Sequence, residues 1–117
     1  MTKPIAHYSP IVRAGDLLVV SGQLGVRDGE LVAGGVEAEA RQALANLRSL
    51  LEGEGASMDD VVKTTVFLRH MRDFVLMNEI YAEAFGDHRP ARSAVAVAEL
   101  PLLGLIEIEA WAHLPGA

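Results

Sequence analysis

The sequence predicts an α+β fold, and three features of the chain predict it. Short apolar runs rich in β-branched residues recur at residues 17–21, 61–68, 91–100 and 105–114, which is the composition of strands. Two other stretches, residues 36–52 and 73–85, space their apolar residues at helical intervals. The order is therefore strands, helix, strand, helix, strands, which suits one mixed sheet with both helices packed on one face. No internal repeat, low-complexity segment or linker interrupts it, so residues 1–117 read as one domain.

Each element has a local reason. Leu17-Leu18-Val19-Val20-Ser21 is opened by Gly15-Asp16 and closed by Gly22, a strand between turns. Arg27-Asp28-Gly29-Glu30 carries the Asp-Gly signature of a hairpin, and Gly34-Gly35 ends the strand pattern. Residues 36–52 place Ala40, Ala43, Leu44, Leu47, Leu50 and Leu51 on one helical face, with Glu37, Glu39, Arg41 and Arg48 largely elsewhere, and Gly53 and Gly55 stop the helix. Ser57 with Asp59 and Asp60 predicts a short capped turn before the strand at 61–68. Asp73 is expected to cap a second helix running to Phe85, with Phe74, Met77, Ile80, Tyr81 and Ala84 as its core stripe and Gly86 as its end. Residues 91–100 and 105–114 are read as two final strands joined by the Pro101-Leu102-Leu103-Gly104 turn.

Composition narrows the function classes. Half of the 117 residues are hydrophobic, and mean hydropathy is +0.24. A sheet with helices on one face leaves the other open, so a neighbouring subunit is its expected cover. The net charge of −6 disfavours nucleic acid and anionic membranes, because phosphate binding needs Lys or Arg to neutralise it. The absence of cysteine removes disulfides, thiol nucleophiles and thiolate metal sites and fits the cytoplasm. Met1-Thr2-Lys3-Pro4 lacks a signal-peptide apolar core, and no run reaches membrane-spanning length.

The chemistry is expected where charge interrupts apolar strand. Arg92 lies in the strand at 91–100, and Glu107 and Glu109 lie in Ile106-Glu107-Ile108-Glu109-Ala110. A charge on a buried strand must be paired or must await a ligand, because stripping its water is costly. Side chains alternate, so Arg92, Ala94, Ala96 and Ala98 share one face, as do Glu107, Glu109, Trp111 and His113. If these two strands pair around residues 101–104 in the matching register, Arg92 and Glu107 meet away from a core of Val95, Val97, Ile106 and Ile108. The small alanines then leave room for a ligand carboxylate on the Arg92 fork. The competing reading is an Arg92–Glu107 ion pair that only neutralises itself.

Other residues carry less. His7, His70, His88 and His113 form no close metal-binding pair, so no metal is expected. Ser21 lacks a nucleophile-elbow context and an identifiable base, and Gly22-Gln23-Leu24-Gly25 is no dinucleotide fingerprint. Lys63 reads as structural, and Glu109 as an interface or solvated carboxylate.

Several segments together resemble the Rid family (reactive intermediate deaminases, also called the YjgF family). They are Tyr8-Ser9-Pro10, Ser21-Gly22-Gln23, the run Ala40 to Leu47, Val61 to Phe67, Asn78, Tyr81, Phe85, Pro90-Ala91-Arg92-Ser93 and Ile106 to Ala110, so the match runs nearly end to end. The resemblance implies a chorismate-mutase-like fold and a homotrimer with ligand clefts between subunits. It implies cofactor-free hydrolysis of small 2-imino acids, such as 2-aminoacrylate and its imine, to 2-oxo acids and ammonia. By match, Arg92 holds the substrate carboxylate and Glu107 orients or activates water. Tyr8, Ser21, Gly22, Asn78 and Ala94 are the further substrate-binding positions. The chain departs from the family pattern with Ala94 in place of a common Cys, Leu24-Gly25 in place of Ile-Pro, a shorter segment after Phe85, and a bulky Trp111. Two alternatives accompany this reading: a non-catalytic trimer binding small carboxylates such as 2-oxo acids, and an endoribonuclease, which the acidic charge opposes.

Overall fold

The computed structural model describes residues 6–116, so the Met1-Thr2-Lys3-Pro4 reading lies outside the described residues. Seven strands and two helices follow in chain order: β1 (Ile11–Ala14), β2 (Leu17–Leu24), β3 (Val26–Arg27), β4 (Glu30–Leu31), α1 (Gly35–Gly53), β5 (Val61–Leu68), α2 (Phe74–Phe85), β6 (Ala91–Ala96) and β7 (Ile106–His113). Short 3-10 turns precede β5, α2 and β7. The β3–β4 pair is the expected Asp-Gly hairpin, with Asp28 at φ 55° and Gly29 at φ 84°, both left-handed as a type I′ turn requires.

The main sheet has the order β1-β2-β7-β5-β6. β7 runs antiparallel to β2 and β5 between them, and β6 lies parallel to β5 at the edge. Both helices cover one face. The residues of β7 that alternate toward them, Ile106, Ile108, Ala110 and Ala112, are fully buried, as are Leu18, Val66, Leu47 and Leu51. The outer face keeps Val12, Val95 and Trp111 exposed. Val12 stands beside Val19, which stands beside Trp111, so the apolar residues form a row across that face.

Four sequence expectations change. Residues 91–100 and 105–114 do not form a hairpin: β6 ends at Ala96, and β5 separates it from β7. The crossover satisfies the edge strand by parallel pairing, which the turn at 101–104 does not reveal. Val95 belongs to the exposed outer face rather than the core. Asp73 marks the start of α2, but its side chain makes no capping hydrogen bond. Glu39 is not on a polar face: it is buried, and its Oε1 accepts the Leu105 amide at 2.8 Å, closing the approach of β7 to α1. Ser57 does cap its turn as expected, and Asp60 returns the bond from the Ser57 amide at 2.8 Å.

Candidate active site

Register places the two charges that sequence reading joined. Arg92 stands beside Thr64, which stands beside Ala110, on the helix side of the sheet. Glu107 stands beside Phe67, which stands beside Val95, on the outer side. The two residues thus lie two strands and three positions apart, about 14 Å between Cα atoms, and face opposite ways. The expected meeting of Arg92 and Glu107 within one chain does not occur, and neither does the self-neutralising ion pair. The physical reason is β5: it takes the place beside β6 that the expected hairpin gave to β7.

The Glu107 half is a cavity of about 800 Å³, lined among others by Tyr8, Ser21, Gly22, Leu102, Glu107 and Glu109. A β-bulge shapes it. Between Val20 and Gln23 the pairing of β2 with β7 shifts by one residue, which puts Ser21 and Gly22 in the irregular stretch. The Ser21 hydroxyl donates to the Ser9 carbonyl at 2.7 Å and so ties the segment bearing Tyr8 to the bulge. Gly22 is bare for a reason: a Cβ there would stand 2.6 Å from Glu107 Oε2. Asn46 anchors the strand end from α1, donating from Nδ2 to the Val26 carbonyl at 2.9 Å and to the Leu24 carbonyl at 3.2 Å. Burial, and then the charge of Glu109, push the Glu107 carboxyl above its ordinary range. Arg92 is not among the causes.

The Arg92 half lies where β6 meets α2. Arg92 and Ala94 are half-buried on the helix side of β6, and Asn78 is half-buried on α2. Phe74, Asn78 and Tyr81 follow at spacings of four and three, so they share one side of α2. The Arg92 guanidinium carbon sits 4.9 Å from the Tyr81 ring centroid and 5.6 Å from that of Phe74. Among the described residues Arg92 has no carboxylate partner; only Arg41 forms ion pairs, with Glu37 and Glu83.

Of the expected site residues, Tyr8, Ser21, Gly22 and Glu107 thus share the cavity, whereas Arg92, Asn78 and Ala94 gather at the β6–α2 margin. Sequence reading missed Glu109 as a neighbour that tunes Glu107, and it missed Asn46 as a clamp. The available signals were an i, i+2 acidic pair on one strand face and an i, i+4 amide pair, Gln42 and Asn46, beside an apolar helix stripe. Lys63 donates to the Ser93 hydroxyl at 2.8 Å on the outer side of the sheet. No three His, Cys, Asp or Glu side chains converge on a metal-sized site among the described residues.

A family model described as Endoribonuclease L-PSP matches residues 1–114. A RutC family protein of Pyrococcus horikoshii is 48% identical over 113 residues, covering 95% of this chain and 90% of that protein. The human protein named 2-iminobutanoate/2-iminopropanoate deaminase is 46% identical over 110 residues, covering 92% of this chain and 80% of its own length. A crystal structure of E. coli TdcF with bound serine matches with a TM-score of 0.89 at 37% identity, covering 94% of this chain and 90% of TdcF.

Proposed function

This chain belongs to the Rid family, whose model is described as Endoribonuclease L-PSP, and we propose that it is an imine/enamine deaminase of small 2-imino acids, acting without a cofactor at clefts shared between copies of the chain. The observation that carries the reading is the separation of two incomplete halves. Arg92 is a half-buried guanidinium without a carboxylate partner among the described residues, and Glu107 is a carboxyl pushed above its ordinary range by burial, in a cavity on the opposite face. A ligand bound by both needs Arg92 from one copy and Glu107 from the next. The apolar row Val12, Val19 and Trp111 on the outer face supports such packing, and the family resemblance supports a trimer as its form.

The reaction asks for a fixed carboxylate and a delivered water. Arg92 binds the carboxylate of the 2-imino acid through its planar fork, with Asn78 and the Ala94 backbone beside it. Glu107, facing Ser21 and Gly22, takes a proton from water as the water oxygen bonds to the C=N carbon. The nitrogen takes that proton to give the neutral carbinolamine. The hydroxyl proton then passes through Glu107 to the nitrogen, the C–N bond breaks as the C=O bond forms, and ammonia and the 2-oxo acid leave. A carboxyl raised above its ordinary range suits both directions of transfer, a role that typically contributes ~10²–10⁴-fold. An enamine such as 2-aminoacrylate enters after its imine tautomer forms. The name of the human relative and the serine bound to TdcF support a ligand of this size and charge.

The ribonuclease in the family description fits this chain less well. Among the described residues one chain's cavity lining supplies two carboxylates and no His, Lys or Arg. Arg92 of the next copy is the cation the proposed cleft gains, and the chain carries −6 overall, so a phosphodiester backbone meets net repulsion. The deciding experiment generates imines from several amino acids with an amino-acid oxidase and traps the unhydrolysed fraction with semicarbazide. The parent protein is expected to suppress trapping, and folded Arg92→Ala to lose that ability. Parent protein that suppresses no trapping yet is thermally stabilised by 2-oxo acids replaces the enzyme with a binding protein.

A further inference from the structure

The Arg92 guanidinium is held by groups that leave its charge free. Two aromatic faces lie within cation–π range, Tyr81 at 4.9 Å and Phe74 at 5.6 Å, and the only hydrogen bond from its side chain among the described residues runs from Nη1 to the Met77 sulfur at 3.9 Å. A ring quadrupole attracts a cation without occupying the in-plane N–H fork, whereas an Asp or Glu in the same place would neutralise it and compete with a substrate carboxylate. The Tyr81 ring is itself fixed. Its hydroxyl pairs with Thr64 Oγ1 at 2.7 Å, and Thr64 is fully buried on β5 directly beside Arg92. One strand position thus sets the Arg92 backbone, and its neighbour sets the ring beneath the Arg92 side chain. Burial raises the Tyr81 phenol above its ordinary value, so the ring stays neutral and the bond to Thr64 persists at neutral pH.

We propose that Tyr81, tethered by Thr64, is a positioning residue: it presents the Arg92 fork in the geometry that receives a substrate carboxylate. This rests on the deaminase reading, in which Arg92 is the carboxylate site. Tyr81 does not touch the reacting atoms, so its loss acts on affinity and leaves the Glu107 step alone.

The test is steady-state imine hydrolysis together with thermal stabilisation by pyruvate, with folding and assembly followed by circular dichroism and size exclusion. Tyr81→Leu is expected to raise KM roughly tenfold with kcat within about twofold, as loss of a partly desolvated cation–π contact implies. Tyr81→Phe, which keeps the ring and loses the tether, is expected to recover part of that loss. In an Arg92→Lys background, Tyr81→Leu is expected to add much less, because the planar fork it orients is gone. Phe74→Leu, at the less buried ring, is expected to move KM the same way by a smaller factor and replaces Tyr81→Leu if that variant does not fold. A folded Tyr81→Leu or Phe74→Leu protein with parental KM and parental pyruvate stabilisation overturns the proposal while the deaminase reading stands. So does an equal KM effect of Tyr81→Leu in the Arg92→Lys background, which marks a general structural role. Parent protein that neither hydrolyses imines nor binds pyruvate overturns both.

Discussion

Replacing Gly22 with alanine is expected to leave the chain folded and to cripple the chemical step. The backbone permits it, because the Gly22 φ lies outside the left-handed region, and the three atoms nearest a new Cβ all belong to the flexible Glu107 side chain. That Cβ would stand 2.6 Å from Oε2, 2.7 Å from Cδ and 2.9 Å from Cγ, where ordinary contact begins near 3.4 Å. The carboxylate must therefore retreat by about 0.8 Å, on the scale at which misplacing a reacting group costs ~10²-fold. The expected kcat loss is thus roughly 10²-fold, about 2.7 kcal/mol in barrier. Binding of a 2-oxo acid through Arg92 is expected to change little. The assay is oxidase-coupled imine hydrolysis with semicarbazide trapping, run on protein whose circular dichroism and size match the parent. Glu107→Asp supplies the control: its shorter side chain withdraws from the clash, so adding Gly22→Ala there should cost little more. Parental kcat in folded, assembled Gly22→Ala would refute the claim that the exact carboxylate position against the bulge drives the reaction.

Three further outcomes follow from the same geometry. Arg92→Ala and Glu107→Gln proteins, each inactive, are expected to recover activity when unfolded together and refolded, because a mixed oligomer restores clefts with both residues; random trimers reach about a quarter of parental activity, and no recovery at all places both residues in one chain's site. Glu109→Gln should shift the acid limb of the pH–rate profile to lower pH. Its charge raises the Glu107 carboxyl, the ionised form is the base, and that form is lost as pH falls through the raised value, so removing the charge preserves activity further into acid; an unmoved limb counts against the coupling. Glu39→Ala is expected to destabilise the fold by about 1–3 kcal/mol in urea unfolding, since it leaves the Leu105 amide without its acceptor, and Glu39→Gln to recover most of that.

The sequence made local structure legible and long-range pairing much less so. Both helices, the Asp28-Gly29 hairpin and the Ser57 cap are encoded within a few residues of themselves, and each stands where periodicity and turn chemistry placed it. The sheet order is not local. Residues 101–104 look like a hairpin turn, yet the hydrogen bonds of β6 go to β5, and only a tertiary view shows that Arg92 and Glu107 look in opposite directions. The two charged candidates, Arg92 and Glu107, were visible because charges on apolar strands are conspicuous. Their division into two halves was not, because it depends on register. Glu39 escaped for another reason: its partner is a backbone amide sixty-six residues away, which leaves no mark on a helical wheel.

β7 is the last strand in chain order and the middle of the sheet. A chain emerging from the ribosome N-terminus first therefore exposes the inner edges of β2 and β5, both rich in valine and leucine, until residues 106–113 appear to fill the gap. Until then each edge is a template for another nascent chain. Closure of the sheet thus comes late in biosynthesis. A stop codon just upstream of β7 would yield an aggregating fragment rather than a smaller version of the fold.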